Sequence, residues 1–175
     1  MIQLTKKICL IGDFAVGKTS LVRRFVEGRF NDSYLSTLGV RVSRRVIEIE
    51  RESPTQVTLM VWDTAGGESF DSVTKSYYRG SGGALLVCDL TRSDTLTSLT
   101  RYAEDFREVN PGASLVLIGN KADLDGQRVI SDEQIAAAAD ANQAAWFVSS
   151  AKTGAQVEDA FLFLGAAICS VRSNQ

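Results

Sequence analysis

The sequence predicts a three-layer α/β domain, in which helices cover both faces of a mostly parallel sheet. Three observations lead to this prediction. Short apolar runs without polar interruptions recur along the chain, and such runs are typical of strands buried on both faces. Amphipathic segments at helical spacing lie between them. The 175 residues match one compact domain and no linker or repeat divides them, so we expect a single domain over residues 1–175.

The strands are predicted from the apolar runs, in order along the chain. Continuous runs that indicate central strands are Ile8–Ile11, Ala84–Cys88 and Leu115–Ile118. A shorter and weaker candidate is Trp146–Val148. From about Gly39 to Trp62, apolar residues alternate on both sides of the turn-like segment 52–55, which predicts an antiparallel hairpin added to the parallel sheet.

Helices are predicted in three places. Residues 18–27 carry their apolar side chains on one side. Ser131 followed by Gln134 forms a capping-box pattern, which predicts a helix from there to about Asn142. The third helix is indicated by one apolar stripe at helical spacing, made of Val157, Ala160, Phe161, Leu164, Ile168 and Val171.

Composition and charge exclude several classes of function. Lys and Arg number 19 against 21 Asp and Glu, a formal charge of -2, so we expect no nucleic-acid partner. The absence of histidine excludes Ser-His-Asp triads, Cys-His pairs and histidine-ligated zinc within this sequence. Cys9, Cys88 and Cys169 lie far apart among apolar residues, which predicts reduced core cysteines in a cytoplasmic protein. No apolar run approaches the roughly 20 residues that a membrane-spanning helix needs.

The first motif with a chemical meaning is a glycine-rich loop between the first strand and the first helix. Residues 12–19 match G-x-x-x-x-G-K-[ST], whose backbone N–H groups point at phosphate oxygens beside a helix N-terminus. In such loops Lys18 adds a charge for the β- and γ-phosphates, and the Thr19 hydroxyl is a Mg²⁺ ligand. The alternative is a plain glycine-rich turn with an incidental lysine, and the motif alone does not identify the nucleotide. The predicted contact residues are Phe14, Ala15, Val16, Gly17, Lys18, Thr19 and Ser20.

Two further motifs follow the last two strand candidates, at the carboxyl ends where open α/β sheets bind ligands. An aspartate there accepts hydrogen bonds from guanine N1–H and from its exocyclic amine, a donor pair that adenine lacks. Leaving a buried carboxylate unpaired would cost about 1–3 kcal/mol or more, which selects the purine. Taken singly, the first motif also fits a solvated turn. The predicted residues are Asn120, Lys121 and Asp123 in the first motif and Ser150, Ala151 and Lys152 in the second.

In order and spacing, these motifs resemble those of the Ras-like small GTPases, most closely the Rab branch, over about residues 5–171. The segments that add to the resemblance are Tyr34–Val40, Trp62–Gly66 and Tyr77–Gly80. The resemblance implies a small G domain of the P-loop NTPase type, with a mostly parallel six-stranded sheet, one antiparallel strand and helices on both faces. It also implies a molecular switch of vesicle trafficking that binds GTP or GDP with Mg²⁺ and hydrolyses GTP.

The resemblance also assigns roles within the two switch segments. The Thr37 hydroxyl completes the Mg²⁺ shell begun by Thr19, and Asp63 holds the metal through water. The N–H groups of Thr37 and Gly66 meet the γ-phosphate, so these contacts exist only with GTP. The expected catalytic residues are Lys18, Thr37, Gly66 and Gly67.

Several aromatic positions match family positions of known role. Phe30 packs against the guanine ring, or alternatively is a plain core residue, and Tyr34 covers the γ-phosphate, or alternatively is a solvated loop tyrosine. Trp62 and Tyr77 match two members of the aromatic cluster through which Rab proteins meet effectors, whereas the third position is Val42. We therefore expect a monomer that meets effectors through its switch segments, together with an exchange factor and a GTPase-activating protein, but the effectors themselves are not transferred.

The sequence departs from the family pattern in three places. Gly67 stands where the family has the glutamine that orients the attacking water, so we expect slow intrinsic hydrolysis, which an activator carrying its own arginine and glutamine could bypass. Phe14 stands where Ras proteins need glycine, and its ring either crowds an incoming arginine or packs on the second switch. Residues 172–175 hold no cysteine, so we expect no lipid anchor in this chain. The protein is then either a shortened form or one recruited to the periphery of a membrane by other means.

Three functions stay open on these observations. The first is a Mg²⁺-dependent switch that hydrolyses GTP, and the second is a GTP-loaded interaction module whose hydrolysis is negligible. The third is a P-loop kinase or ATPase, against which Asn120 and Asp123 argue.

Overall fold

The structure, a computed structural model, describes residues 1–31, 39–67 and 69–170. Within them the strands are β1 Ile2–Ile11, β2 Val40–Ile49, β3 Thr55–Thr64, β4 Gly83–Asp89, β5 Ser114–Asn120 and β6 Ala145–Val148. They form one six-stranded sheet in the order β2-β3-β1-β4-β5-β6. Neighbouring strands are parallel except for β2 with β3. The predicted sheet, mostly parallel with one antiparallel strand, is confirmed.

Helices lie on both faces of this sheet. They are α1 Lys18–Glu27, α2 Ser72–Tyr78, α3 Ser93–Thr97, α4 Leu99–Val109, α5 Asp132–Ala141 and α6 Val157–Ser170, with a 3₁₀ turn at Asp125–Gln127. Side chains of α1 and α6 pack in the core on one face, and those of α2, α4 and α5 pack in the core on the other. The three-layer prediction is therefore confirmed.

The central strands send alternate side chains into these two cores. Ile8 of β1 joins the core with α1 and α6, whereas its neighbour Cys9 joins the opposite core. Because both faces are covered, the strand sequences are continuously apolar rather than alternating. Between α1 and α6, the rings of Phe25 and Phe161 stack with centroids 4.0 Å apart.

The structure extends the predicted elements in some places and confirms them in others. β1 begins at Ile2, well before the predicted start at Ile8, because its polar first half pairs with β3. The capping box of α5 is confirmed, since Gln134 N donates to Ser131 Oγ at 3.2 Å and Ser131 N donates to Gln134 Oε1 at 2.8 Å. The helices α2, α3 and α4 have no counterpart among the predicted elements, and Val171 lies outside the described residues.

The cysteines are free and buried, as predicted. Burial raises the pKa of the Cys9 thiol to about 11 and that of the Cys88 thiol to about 12, so both stay protonated at neutral pH. Among the described helices, none has the length and apolar character that crossing a membrane requires.

Candidate functional site

A cleft of about 420 Å³ opens at the carboxyl ends of the strands, where the predicted motifs meet. Its wall includes most of the predicted contact residues, namely Phe14, Ala15, Gly17, Lys18, Thr19, Ser20, Phe30, Gly66, Asn120, Lys121, Asp123, Ala151 and Lys152. Four other predicted residues, Val16, Asp63, Gly67 and Ser150, lie beside this wall rather than on it. Tyr34 and Thr37 lie outside the described residues.

The glycine-rich loop turns its carbonyl groups toward side chains that surround it. Lys18 Nζ donates to the carbonyls of Gly12 and Asp13, at 3.0 and 2.9 Å. Asn120 Nδ2 donates to the carbonyl of Val16 at 3.0 Å. In a planar trans peptide the C=O and the N–H of the next residue point in opposite directions. A carbonyl fixed by a hydrogen bond therefore also fixes the direction of that N–H. Holding the Val16 carbonyl therefore directs the Gly17 N–H away from Asn120, and phosphate-binding loops orient their backbone N–H groups in this way.

Neighbouring atoms leave no room for a side chain at two of the glycines of this site. Gly17 has a φ of 100°, and a Cβ there would lie 2.4 Å from Asn120 Nδ2. A Cβ on Gly66 would lie 2.5 Å from both the N and the Cα of Phe14. The backbone of the segment that follows β3 therefore lies close against the backbone of the glycine-rich loop.

The two predicted base-contact motifs are bonded to one another. Asn120 Oδ1 accepts hydrogen bonds from Ser149 Oγ at 3.2 Å and from the N–H of Ala151 at 3.3 Å. Ser150 Oγ donates to Asp123 Oδ1 at 2.7 Å. The bond from Ser150 orients the Asp123 carboxylate in the wall of the cleft, where an acceptor for the donor edge of a base is expected.

The predicted metal ligands that the structure describes also lie together. Thr19 Oγ1 donates to Asp63 Oδ2 at 2.6 Å, and Asp63 is buried. A hydroxyl and a carboxylate are oxygen donors of the kind that Mg²⁺ prefers, so these residues fit the ion. Within 1–31, 39–67 and 69–170, no group of three or more His, Cys, Asp or Glu residues is placed to hold a metal. Mg²⁺ is usually bound by one or two carboxylates together with substrate phosphates, so the Asp63 carboxylate and the Thr19 hydroxyl are ligands of the kind that it uses.

Comparison with known protein families agrees with this geometry. The Ras family model matches residues 7–170. The chain belongs to the Ras family. Members of this family are small GTPases: they bind guanine nucleotides, typically with Mg²⁺, hydrolyse GTP, and act as switches that meet effectors, exchange factors and GTPase-activating proteins.

In this Ras-family protein, one acidic residue beside the cleft was not predicted from the sequence. Asp89 is the last residue of β4 and is 1% exposed. Its carboxylate accepts from Lys121 Nζ at 2.8 Å and from Arg92 Nε at 3.1 Å. Burial acts to raise the pKa of Asp89, but hydrogen bonds from Lys121, Thr91 and Arg92 outweigh it, so the pKa lies below its usual value. Its position directly after the apolar run Ala84–Cys88 is the signal that could have identified it.

A second residue that the sequence analysis missed is Arg24 of α1. Its guanidinium donates to the carbonyls of Ala151 at 2.8 Å, Lys152 at 2.5 Å and Gly28 at 3.3 Å. Arg24 thereby joins α1, which begins at the glycine-rich loop, to the loop that holds Ala151 and Lys152. An arginine in a helix carries no sequence signal for such a role.

We predict that Arg24→Ala weakens nucleotide binding as well as the fold. The loss of bonds to the 151–152 loop should lower the free energy of unfolding by about 1–3 kcal/mol and the affinity for GDP by about 3–10-fold. Chemical denaturation and GDP titration measure the two effects.

The matched control is Arg107→Ala, because Arg107 donates to the carbonyls of Asn142 at 2.6 Å and Gln143 at 3.5 Å, away from the cleft. It should lower stability and leave the affinity for GDP unchanged. Equal affinities for GDP in all three proteins would contradict the prediction for Arg24.

Proposed function

We propose that this chain is a Rab-like small GTPase that holds GTP or GDP with Mg²⁺ in the cleft and works as a single-domain switch. In this proposal Asp123 recognises guanine, while Lys18 and the N–H groups of the glycine-rich loop bind the phosphates. The observation that carries the proposal is the Asn120 side chain, which is bonded to the carbonyl of Val16 on one side and to the N–H of Ala151 on the other. One side chain thus connects the phosphate and base ends of the cleft.

The proposed hydrolysis depends on positioning and charge rather than on a covalent step. Lys18 and the loop N–H groups oppose the negative charge that spreads over the phosphate oxygens, and Gly66 N–H adds a donor at the γ-phosphate. Thr19, Asp63 and Thr37 would hold Mg²⁺, which neutralises charge on the β- and γ-phosphates when it is bound. The remaining requirement is a group that orients the attacking water.

We further propose that hydrolysis by this chain alone is slow because Gly67 has no side chain to orient that water. Turnover with a glutamine at this place is about 10⁻⁴ s⁻¹, and a further ~10-fold loss would extend the GTP-bound lifetime to hours. A partner that inserts its own arginine and glutamine would restore the rate. Without such a partner, the same feature favours the second candidate function, a GTP-loaded interaction module.

The Rab-like assignment rests on the surface between the switches. Trp62 and Tyr77 lie with ring centroids 6.5 Å apart, and Lys7 Nζ lies 3.7 Å above the Trp62 ring. Val42 is directly opposite Trp62 in the β2–β3 register and is 44% exposed. We propose that this surface meets effector proteins of vesicle trafficking, at the periphery of a membrane, with the chain as a monomer.

Nucleotide content and turnover test the proposed function. We expect freshly purified protein to contain GDP or GTP, labelled GTP to be displaced by excess GTP but not by excess ATP, and chelation of Mg²⁺ to speed nucleotide release. Mostly bound GDP supports a cycling switch, whereas mostly bound GTP supports the interaction module. Displacement of labelled GTP by ATP, or no measurable affinity for GDP and GTP with Mg²⁺ present, would overturn the proposal.

A further inference from the structure

The buried carboxylate of Asp89 binds two positively charged side chains beside the cleft, those of Lys121 and Arg92. Asp89 Oδ2 accepts from Lys121 Nζ at 2.8 Å and from Arg92 Nε at 3.1 Å. Asp89 Oδ1 accepts from the N–H and the hydroxyl of Thr91, at 2.9 and 2.7 Å. With both oxygens bonded, the carboxylate is fixed in orientation, and the two cations are fixed with it.

The same two cations bond to successive carbonyls of the glycine-rich loop. Lys121 Nζ donates to the carbonyl of Ala15 at 2.9 Å, and Arg92 Nη2 donates to the carbonyl of Phe14 at 2.9 Å. Lys121 already belongs to the predicted base motif, but Arg92 belongs to no motif and does not line the cleft. Its guanidinium therefore bonds to the loop from outside the lining of the cleft.

These bonds decide which way two N–H groups of the loop point. Because each peptide is planar and trans, holding the Phe14 carbonyl outward directs the Ala15 N–H inward, and holding the Ala15 carbonyl outward directs the Val16 N–H inward. Ala15 has a φ of 60°, a conformation that residues with a side chain rarely adopt and that needs support from its surroundings.

We propose that Asp89 and Arg92 are positioning residues for the phosphates of the bound nucleotide. Asp89 orients Arg92 and Lys121, and these two keep the Ala15 and Val16 N–H groups directed at the phosphates. This inference rests on the proposed function. The competing interpretation is that Arg92 only strengthens the fold, through its ion pair with a residue three positions earlier.

The experiment compares Arg92→Ala and Arg92→Lys with a matched arginine elsewhere. Arg128 serves as the control, because it also pairs with a carboxylate, that of Asp132, and also donates to a carbonyl, that of Ile130 at 2.7 Å. The measurements on the Mg²⁺-loaded protein are the dissociation rates of fluorescent GDP and fluorescent IDP, the melting temperature, and the amide ¹H–¹⁵N shifts of Ala15 and Val16.

We expect Arg92→Ala to raise both dissociation rates by about 5–10-fold, which is less than the loss of a direct charge-assisted hydrogen bond to the ligand, because Arg92 acts on the phosphates only through the loop. The factor should be the same for GDP and IDP, because the two ligands share their phosphates and differ in the base. The shift that GDP causes at the Ala15 amide should shrink, and Arg92→Lys should restore part of both effects. Arg128→Ala should lower the melting temperature without changing either rate.

The inference would be overturned if Arg92→Ala changed the dissociation rates by less than twofold, or if Arg92→Ala and Arg128→Ala raised them equally. In either case, nucleotide binding by the wild-type protein would still support the proposed function. A wild-type protein that retains neither GDP nor IDP would overturn the proposed function and the inference with it. Asp89→Asn is a second test of the inference. It should raise the dissociation rates of GDP and IDP at least as much as Arg92→Ala does, because it weakens the hold on both the Arg92 and the Lys121 side chains.

Discussion

Asp123→Asn is expected to convert this GTPase from guanine to xanthine recognition. Asparagine can still accept from guanine N1–H, but its amide N–H group meets the exocyclic amine of guanine, which is also a donor. The loss of one charge-assisted hydrogen bond, about 1.5–3 kcal/mol, and the unpaired donors, about 1–3 kcal/mol, should weaken GDP binding by about 10²–10⁴-fold. Xanthine carries a carbonyl where guanine carries the exocyclic amine, so an amide donor at position 123 should bind it. We therefore expect affinity for XDP to rise as affinity for GDP falls.

The surroundings of Asp123 support a clean exchange of specificity. Ser150 Oγ donates to Asp123 Oδ1 at 2.7 Å, and the carbonyl oxygen of an asparagine can accept the same bond. The amide nitrogen then takes the second oxygen's place, which in the proposed function faces the base.

The measurement is titration of nucleotide-free protein with GDP and with XDP, and Asp125→Asn is the control. Asp125 is an exposed acidic residue two positions further on, in the 3₁₀ turn, and its variant should bind GDP as the wild type does. An Asp123→Asn protein whose GDP affinity stays within threefold of the wild type would remove Asp123 from guanine recognition.

Gly67→Gln is expected to accelerate single-turnover hydrolysis of GTP by about 10-fold or more. A positioned catalytic group commonly contributes about 10²–10⁴-fold, and the added amide would supply the group that orients water. Apart from Gly67 and its two chain neighbours, no described residue has an atom within 4 Å of a Cβ built on Gly67, so a side chain has space to enter.

The backbone at Gly67 calls for a second variant. Its φ of 70° lies in the left-handed region, where a residue with a side chain costs about 1–2 kcal/mol. Gly67→Ala carries the same backbone cost without the amide, so it separates strain from chemistry. We expect Gly67→Ala to hydrolyse GTP at the wild-type rate, and equal rates in the wild type and both variants would refute the proposed cause of slow hydrolysis.

The fold class and the principal motifs could be predicted from the sequence because their signals are local. The apolar run Leu115–Ile118 indicates a strand buried on both faces, whatever its neighbours are. The glycine-rich loop and Asn120–Asp123 combine residue types whose chemistry follows from spacing along a few positions. Both motifs line the cleft where the carboxyl ends of the strands meet. Their roles in binding and catalysis stay predictions, as do those of Tyr34 and Thr37, which lie outside the described residues.

Only the tertiary structure decided which side chains hold this cleft in shape. Arg92 reaches a carbonyl 78 positions away, and Arg24 reaches one 127 positions away. The sequence alone does not distinguish these arginines from the others, because an arginine that binds a distant carbonyl has no local pattern that an arginine facing water lacks. The polar half of β1 was missed for the same reason, because its pairing with β3 comes from backbone hydrogen bonds across a long separation rather than from hydrophobic pattern. Motifs of neighbouring residues can be recognised in the sequence, whereas contacts between distant segments form only when the folded sheet brings the strand ends together.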